Sequence, residues 1–146
     1  MTQEEKELLI KDLCGRLSCG VKCKIEKDWF YDEIEPYDSI FNLIILERLL
    51  SQRDTDYCVK PYLRPMSSMT EEEFESLKQY SGLIYDQLEL AEFQNGTYKC
   101  LEFYLSEIPS YIVILVFDWL NAHHFDYRGL IPMGLALEAP EDMYNI

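Results

Sequence analysis

Apolar positions in the first twenty residues recur at helical spacing. Leu9, Leu13 and Leu17 lie four apart, with Ile10 and Cys14 beside them, which predicts a helix over about 3–17. Thr2 followed by Glu5 has the spacing of a capping box, and Gly20 is placed to end the segment. The period then changes to two. Val21, Cys23 and Ile25 alternate with Lys22, Lys24 and Glu26, the pattern of a half-buried strand. Residues 26–38 mix aromatics with six carboxylates, and Pro36 excludes a helix interior or a central strand there. Residues 40–50, IFNLIILERLL, are apolar on nearly every side, so periodicity alone leaves helix and buried strand open. Leu46, Leu49 and Leu50 with Glu47 and Arg48 are good helix formers and favour a helix, capped by Asp38 or Ser39. Tyr57–Lys60 reads as a short strand stopped by Pro61.

In the second half, Thr70 and Glu73 repeat the capping-box spacing and predict a helix over about 71–81, ended near Gly82. Asn95-Gly96 is a hairpin signal. A hairpin over about 86–105 would pair Phe93 with Tyr98, Glu92 with Lys99 and Leu90 with Leu101. Ser106 and Pro109 suit a helix start. Ile112, Leu115, Val116, Trp119, Leu120 and His123 then share one face of a helix over about 107–124, with a buried strand over 112–117 as the alternative. The tail from Gly129 holds two glycines and two prolines and reads as irregular, with a short extended piece. Together these elements predict one α+β domain over 1–146. Its small, mostly antiparallel sheet would have the 86–105 hairpin at its heart, packed by three or four helices.

Composition narrows the function classes. Of 146 residues, 48% are hydrophobic and 14% aromatic, enough for a real core and too much for a disordered chain. Thirteen Lys and Arg stand against 27 Asp and Glu, a net charge of −14. That argues against direct nucleic-acid binding, which needs a basic face, and against docking on anionic membranes. The acidity is uneven. Residues 1–64 hold ten basic and thirteen acidic residues, and residues 65–146 hold three and fourteen. The N-terminus lacks the basic and apolar regions of a secretory signal. The longest apolar run, Tyr111–Phe117, is far short of the ~20 residues that span a bilayer. The expected setting is the cytoplasm, where the five cysteines (Cys14, Cys19, Cys23, Cys58, Cys100) would be reduced.

Few residues carry a chemical signal. His123, His124 and Asp126 fall within four positions, a spacing that suits a metal or acid–base work. Adjacent helical residues point about 100° apart, however, so both histidines face one ion only if the helix ends between them. The plainer reading is a helix C-terminus capped by histidine, with only His123 on the apolar stripe. The cysteines contain no C-x-x-C pair and read as buried apolar residues. There is no nucleophile elbow, no phosphate loop and no dinucleotide fingerprint. A Cys100–His123 pair stays open only because such pairs meet in space. No catalytic residue, metal site or cofactor is therefore assigned. The candidate binding residues are Trp29, Tyr31 and Tyr37 in the aromatic-acidic stretch, Tyr62 and Arg64 in the PYLRP segment, and His124, Asp126 and Arg128. Each has a plainer alternative. The first stretch suits a solvated edge, PYLRP suits a rigid connector with Arg64 paired to an acid, and Arg128 suits a pair with Asp126 or Glu138.

Two stretches, KPYLRPMSSMTEEE from Lys60 and DWLNAHHFDYRGLIPMGLALEAPEDMYN from Asp118, resemble a family of small uncharacterised proteins of gut anaerobes and their prophages and mobile elements. The resemblance covers about a third of the chain. It implies a genomic setting and no catalytic residues. With the acidity, it leads to an expected role as a non-enzymatic protein-interaction module that modulates a host or phage protein, one version being mimicry of nucleic-acid charge. The alternatives are a structural or assembly component of such an element, and a small enzyme or metal protein using His123, His124 and Asp126.

Overall fold

The computed structural model describes residues 2–27, 36–50, 58–82, 90, 94 and 109–144. Helix α1 (Gln3–Gly15) starts as its sequence predicts. The Glu5 amide donates to Thr2 Oγ1 at 3.1 Å and the Thr2 amide to Glu5 Oε2 at 2.8 Å. The helix stops two residues before Leu17 because Arg16 leaves it as the C-cap. The Arg16 guanidinium folds back on Asp12, with Nε 2.8 Å from Oδ2, and both side chains are fully buried.

Strand β1 (Lys22–Lys27) follows, then β2 (Tyr37–Ile40), which begins directly after Pro36. Helix α2 (Leu43–Leu50) resolves the ambiguous 40–50 run as helix. Its cap is Asn42 rather than Asp38 or Ser39, because those two residues are still in β2. Asn42 Oδ1 accepts from the Ile45 amide at 3.0 Å. Strand β3 (Cys58–Leu63) extends through Pro61, where the sequence predicts a stop. Leu63 shows why the ring is tolerated. Its carbonyl accepts from the Ala139 amide at 2.8 Å, on the side of β4 (Leu137–Glu138), and by strand alternation Pro61 faces that same side. There β4 pairs only from Tyr62 onward, so no ladder bond needs the missing N–H. A short 3-10 helix (Met66–Ser68) leads to α3 (Glu71–Ser81), which carries the expected capping box and ends on Gly82 in the left-handed region. Helix α4 (Ser110–Ala122) starts just after Pro109, and the tail contributes only β4.

The fold is α+β, with a four-stranded sheet in the order β2-β1-β3-β4. Its first two pairings are antiparallel and the third is parallel, so the sheet is mixed. Among the described residues its central pair is β1 against β3; the expected hairpin falls over 86–105. Of that segment only Leu90 and Gln94 are described, and both are helical. The rest of the expected hairpin, including its Phe93–Tyr98 pair, lies outside the described residues.

The chain divides into two compact units, Met1–Leu63 with Leu130–Asn145, and Arg64–Gly129. In the first, α1 and α2 bury Leu9, Leu13, Ile45 and Leu49 with Val21 and with Cys23 and Ile25 of β1. In the second, Phe74 and Leu77 of α3 meet Val116, Trp119 and Leu120 of α4, with Phe125 beyond it. No helix among the described residues is long and apolar enough to cross a membrane.

Candidate functional site

The densest group of sequence-predicted residues follows α4, in the second unit. The helix does end between the two histidines. His123 is its C-cap, and His124 takes φ 63°, the only positive φ outside glycine among the described residues. The His124 amide donates to Asn121 O at 3.1 Å and the Phe125 amide to Leu120 O at 3.0 Å. These two bonds define a Schellman motif with histidine where glycine is usual. The expected burial of the pair is reversed. His124 is 5% exposed, whereas His123 is half-buried, because the left-handed turn swings residue 124 inward. His123 does cap its helix, with Nδ1 2.9 Å from Trp119 O and its ring stacked on Trp119 at 3.8 Å.

Arg64 docks against this corner. Its amide donates to His124 O at 2.7 Å, and its carbonyl accepts from the Asp126 amide at 2.8 Å. Its guanidinium makes a bidentate pair with Glu73 at 2.7 and 2.8 Å, the acid partner the sequence expects, and lies 4.2 Å from the Phe125 ring centroid. Phe125 stacks in turn on Trp119 at 5.9 Å. Burial alone would raise the Glu73 carboxyl, but the hydrogen bonds from Arg64 and from the Thr70 amide hold it below the ordinary carboxylate value. Asp126 is buried beside this turn, the Tyr127 hydroxyl donates to Asn121 Oδ1 at 2.9 Å, and Arg128 lies over the Tyr127 ring at 5.2 Å.

Chemically this corner is a clamp. The structure brings Arg64, His124 and Asp126 together through main-chain bonds, and the Arg64 charge is engaged by Glu73. Among the described residues, no group of three or more His, Cys, Asp or Glu side chains is arranged to hold a metal ion.

The other predicted residues belong to the first unit. Tyr37 is exposed at the start of β2, opposite Ile25. The Tyr62 hydroxyl donates to Asp38 Oδ1 at 2.8 Å. Desolvation, and then this bond and the Asp38 charge, push the Tyr62 phenol up to about 12. Its carbonyl accepts from the Tyr144 hydroxyl at 2.8 Å, and that hydroxyl also accepts from the Lys22 amide at 2.9 Å. Tyr144 thus bridges β1 and β3 just past their last rung, Cys23 with Pro61. Burial raises the Tyr144 phenol to about 12. Cys23 donates to Ser39 O at 3.4 Å, and burial, helped by the Asp38 charge, raises its thiol to about 12. That is an inert buried thiol, as the sequence suggests. Trp29, Tyr31 and Cys100 lie outside the described residues.

Sequence reasoning missed a surface. Helix α2 buries Ile45 and Leu49, yet leaves Leu43 67%, Ile44 62% and Leu50 61% exposed, with Ile40 55% exposed just before it. Beyond Leu50 a groove of about 350 Å³ opens between α1 and α2, lined by Ile10, Leu49 and Leu50 with Gln3, Lys6, Glu7 and Lys11. The signal was present in LIILERLL, a segment apolar on both faces. Such a helix is normally covered on both.

No protein-family model, no curated protein and no solved structure matches this chain.

Proposed function

We propose that this chain is a non-enzymatic protein-interaction module and that the outward face of α2 is its binding surface. One observation carries the reading. Three large aliphatic side chains of an eight-residue helix, Leu43, Ile44 and Leu50, stand more than half exposed, while the opposite face packs into the core. Large aliphatic side chains exposed together on one helix face mark a contact site. Of the residues that suggested binding, Arg64 has its charge engaged by Glu73, and the main chain of Arg64, His124 and Asp126 holds the end of α4. The resemblance of two segments to prophage and mobile-element proteins supports a partner encoded by such an element or its host, met in the cytoplasm.

Capture of tagged protein from lysate through a salt series tests the proposal against electrostatic binding by the acidic surface. A partner held through high salt and lost on Leu43→Asp or Ile44→Asp is the expected result. A partner released by moderate salt and indifferent to both changes would assign binding to the carboxylates and overturn the α2 reading.

A further inference from the structure

We infer that the outward face of α2 receives an amphipathic helix of another protein that carries a Lys or Arg between its apolar anchors. This rests on the interaction reading above and names the partner's chemistry. The exposed positions of α2 are Leu43, Ile44, Glu47 and Leu50. Their offsets of one, four and seven put them on one stripe about 10 Å long. The Asn42 cap pins the start of the helix, through Ile45 N at 3.0 Å and Ile40 O at 3.3 Å, so the stripe is preformed. Leu43, Glu47 and Leu50 recur at i, i+4 and i+7, the repeat of a helix face that another helix can recognise, with Ile44 beside them.

Charge selects the occupant. Glu47 sits in the middle of the stripe, with apolar neighbours on both sides. Any partner that covers the stripe desolvates this carboxylate and must supply a cation against it. A second copy laid antiparallel across the same face would bring Glu47 up to another Glu47. Each copy also carries a net charge of −14, so approach of two copies is opposed at long range as well. Beyond Leu50, Lys6 and Lys11 outnumber Glu7 around the groove. That end favours a partner carboxylate, which sets the partner's direction along the stripe.

The test uses the full chain and two alanine-based helical peptides. Both carry leucine at i, i+3 and i+7. One has lysine at i+4 and its twin has glutamate there. Fluorescence anisotropy is expected to show saturable binding of the lysine peptide and about tenfold weaker binding of the twin. Glu47→Lys should reverse that order, and Leu43→Asp should abolish both while leaving the thermal melt unchanged. Equal binding of the twins, an order that Glu47→Lys does not reverse, or no binding of either peptide overturns the inference. Concentration-dependent dimers in sedimentation that Leu43→Asp dissociates also overturn it, in favour of a second copy. If neither peptide binds but lysate capture still depends on Leu43, the partner class falls and the interaction reading stands.

Discussion

At the scale of single residues, His124 is the position where local geometry and residue type disagree. A left-handed residue at the end of a helix is ordinarily glycine, since a Cβ there costs about 1 kcal/mol or more. The chain keeps histidine, at φ 63° and buried. Truncation to alanine or to glycine removes the same ring, but only glycine also removes the backbone strain. His124→Gly is therefore expected to be more stable than His124→Ala by about 1 kcal/mol, read as the difference between their urea midpoints at constant slope. Equal stabilities would mean that the turn relaxes once the ring is gone. The His-His-x-Asp pattern was visible in the sequence. Its meaning was not, because residues one apart are separated by a fixed helical angle only while the helix lasts, and where α4 ends depends on the Schellman bonds beyond it.

At the scale of elements, helix starts were the most legible feature. Both capping boxes, Thr2 with Glu5 and Thr70 with Glu73, form as their spacing predicts, since each is a closed set of hydrogen bonds within one turn. At α3 the same glutamate also holds Arg64, so one carboxylate serves the cap and the clamp. Its folded-state pKa lies below the ordinary value. The stabilisation it contributes is therefore present above the unfolded carboxylate pKa and lost as pH falls through the lower, folded value. Glu73→Gln should lower stability at neutral pH and flatten the acid limb of a stability–pH profile measured by denaturant midpoint. An unchanged acid limb would show that other carboxylates set it. Strands were less legible. Alternation identified β1 correctly, but Pro61 suggested an end to β3 that did not occur, because whether a missing N–H matters depends on which neighbour lies beside it.

At the scale of the whole molecule, the strand ends are tied by a residue from the far end of the sequence. The Tyr144 hydroxyl bonds the Lys22 amide and the Tyr62 carbonyl, a bridge that no local pattern announces. Burial raises its phenol from 10.0 to about 12. The neutral hydroxyl is thus favoured in the folded state, and its contribution is complete below pH about 10 and lost as pH rises toward 12. Tyr144→Phe should cost about 1–3 kcal/mol at neutral pH, by stripping a partner from two backbone groups, and should make the alkaline fall in stability shallower. An alkaline limb of unchanged slope would place that titration on Tyr62 and Cys23 instead, whose values are raised in the same direction.

What the sequence determined by itself was set within a turn or along one strand: the α+β class, the two capping boxes, the half-buried β1, the short extended piece in the tail and the acidic balance. These depend on interactions between residues a few positions apart, or on sums over the chain. The tertiary structure alone decided which strands pair, that β3 passes through Pro61, that Asp12 and Arg16 are buried as an ion pair, and which face of α2 looks outward. Hydrophobic periodicity reports a face only when the opposite face is polar. LIILERLL is apolar on both, so only its packing against the sheet and α1 could leave Leu43, Ile44 and Leu50 in solvent.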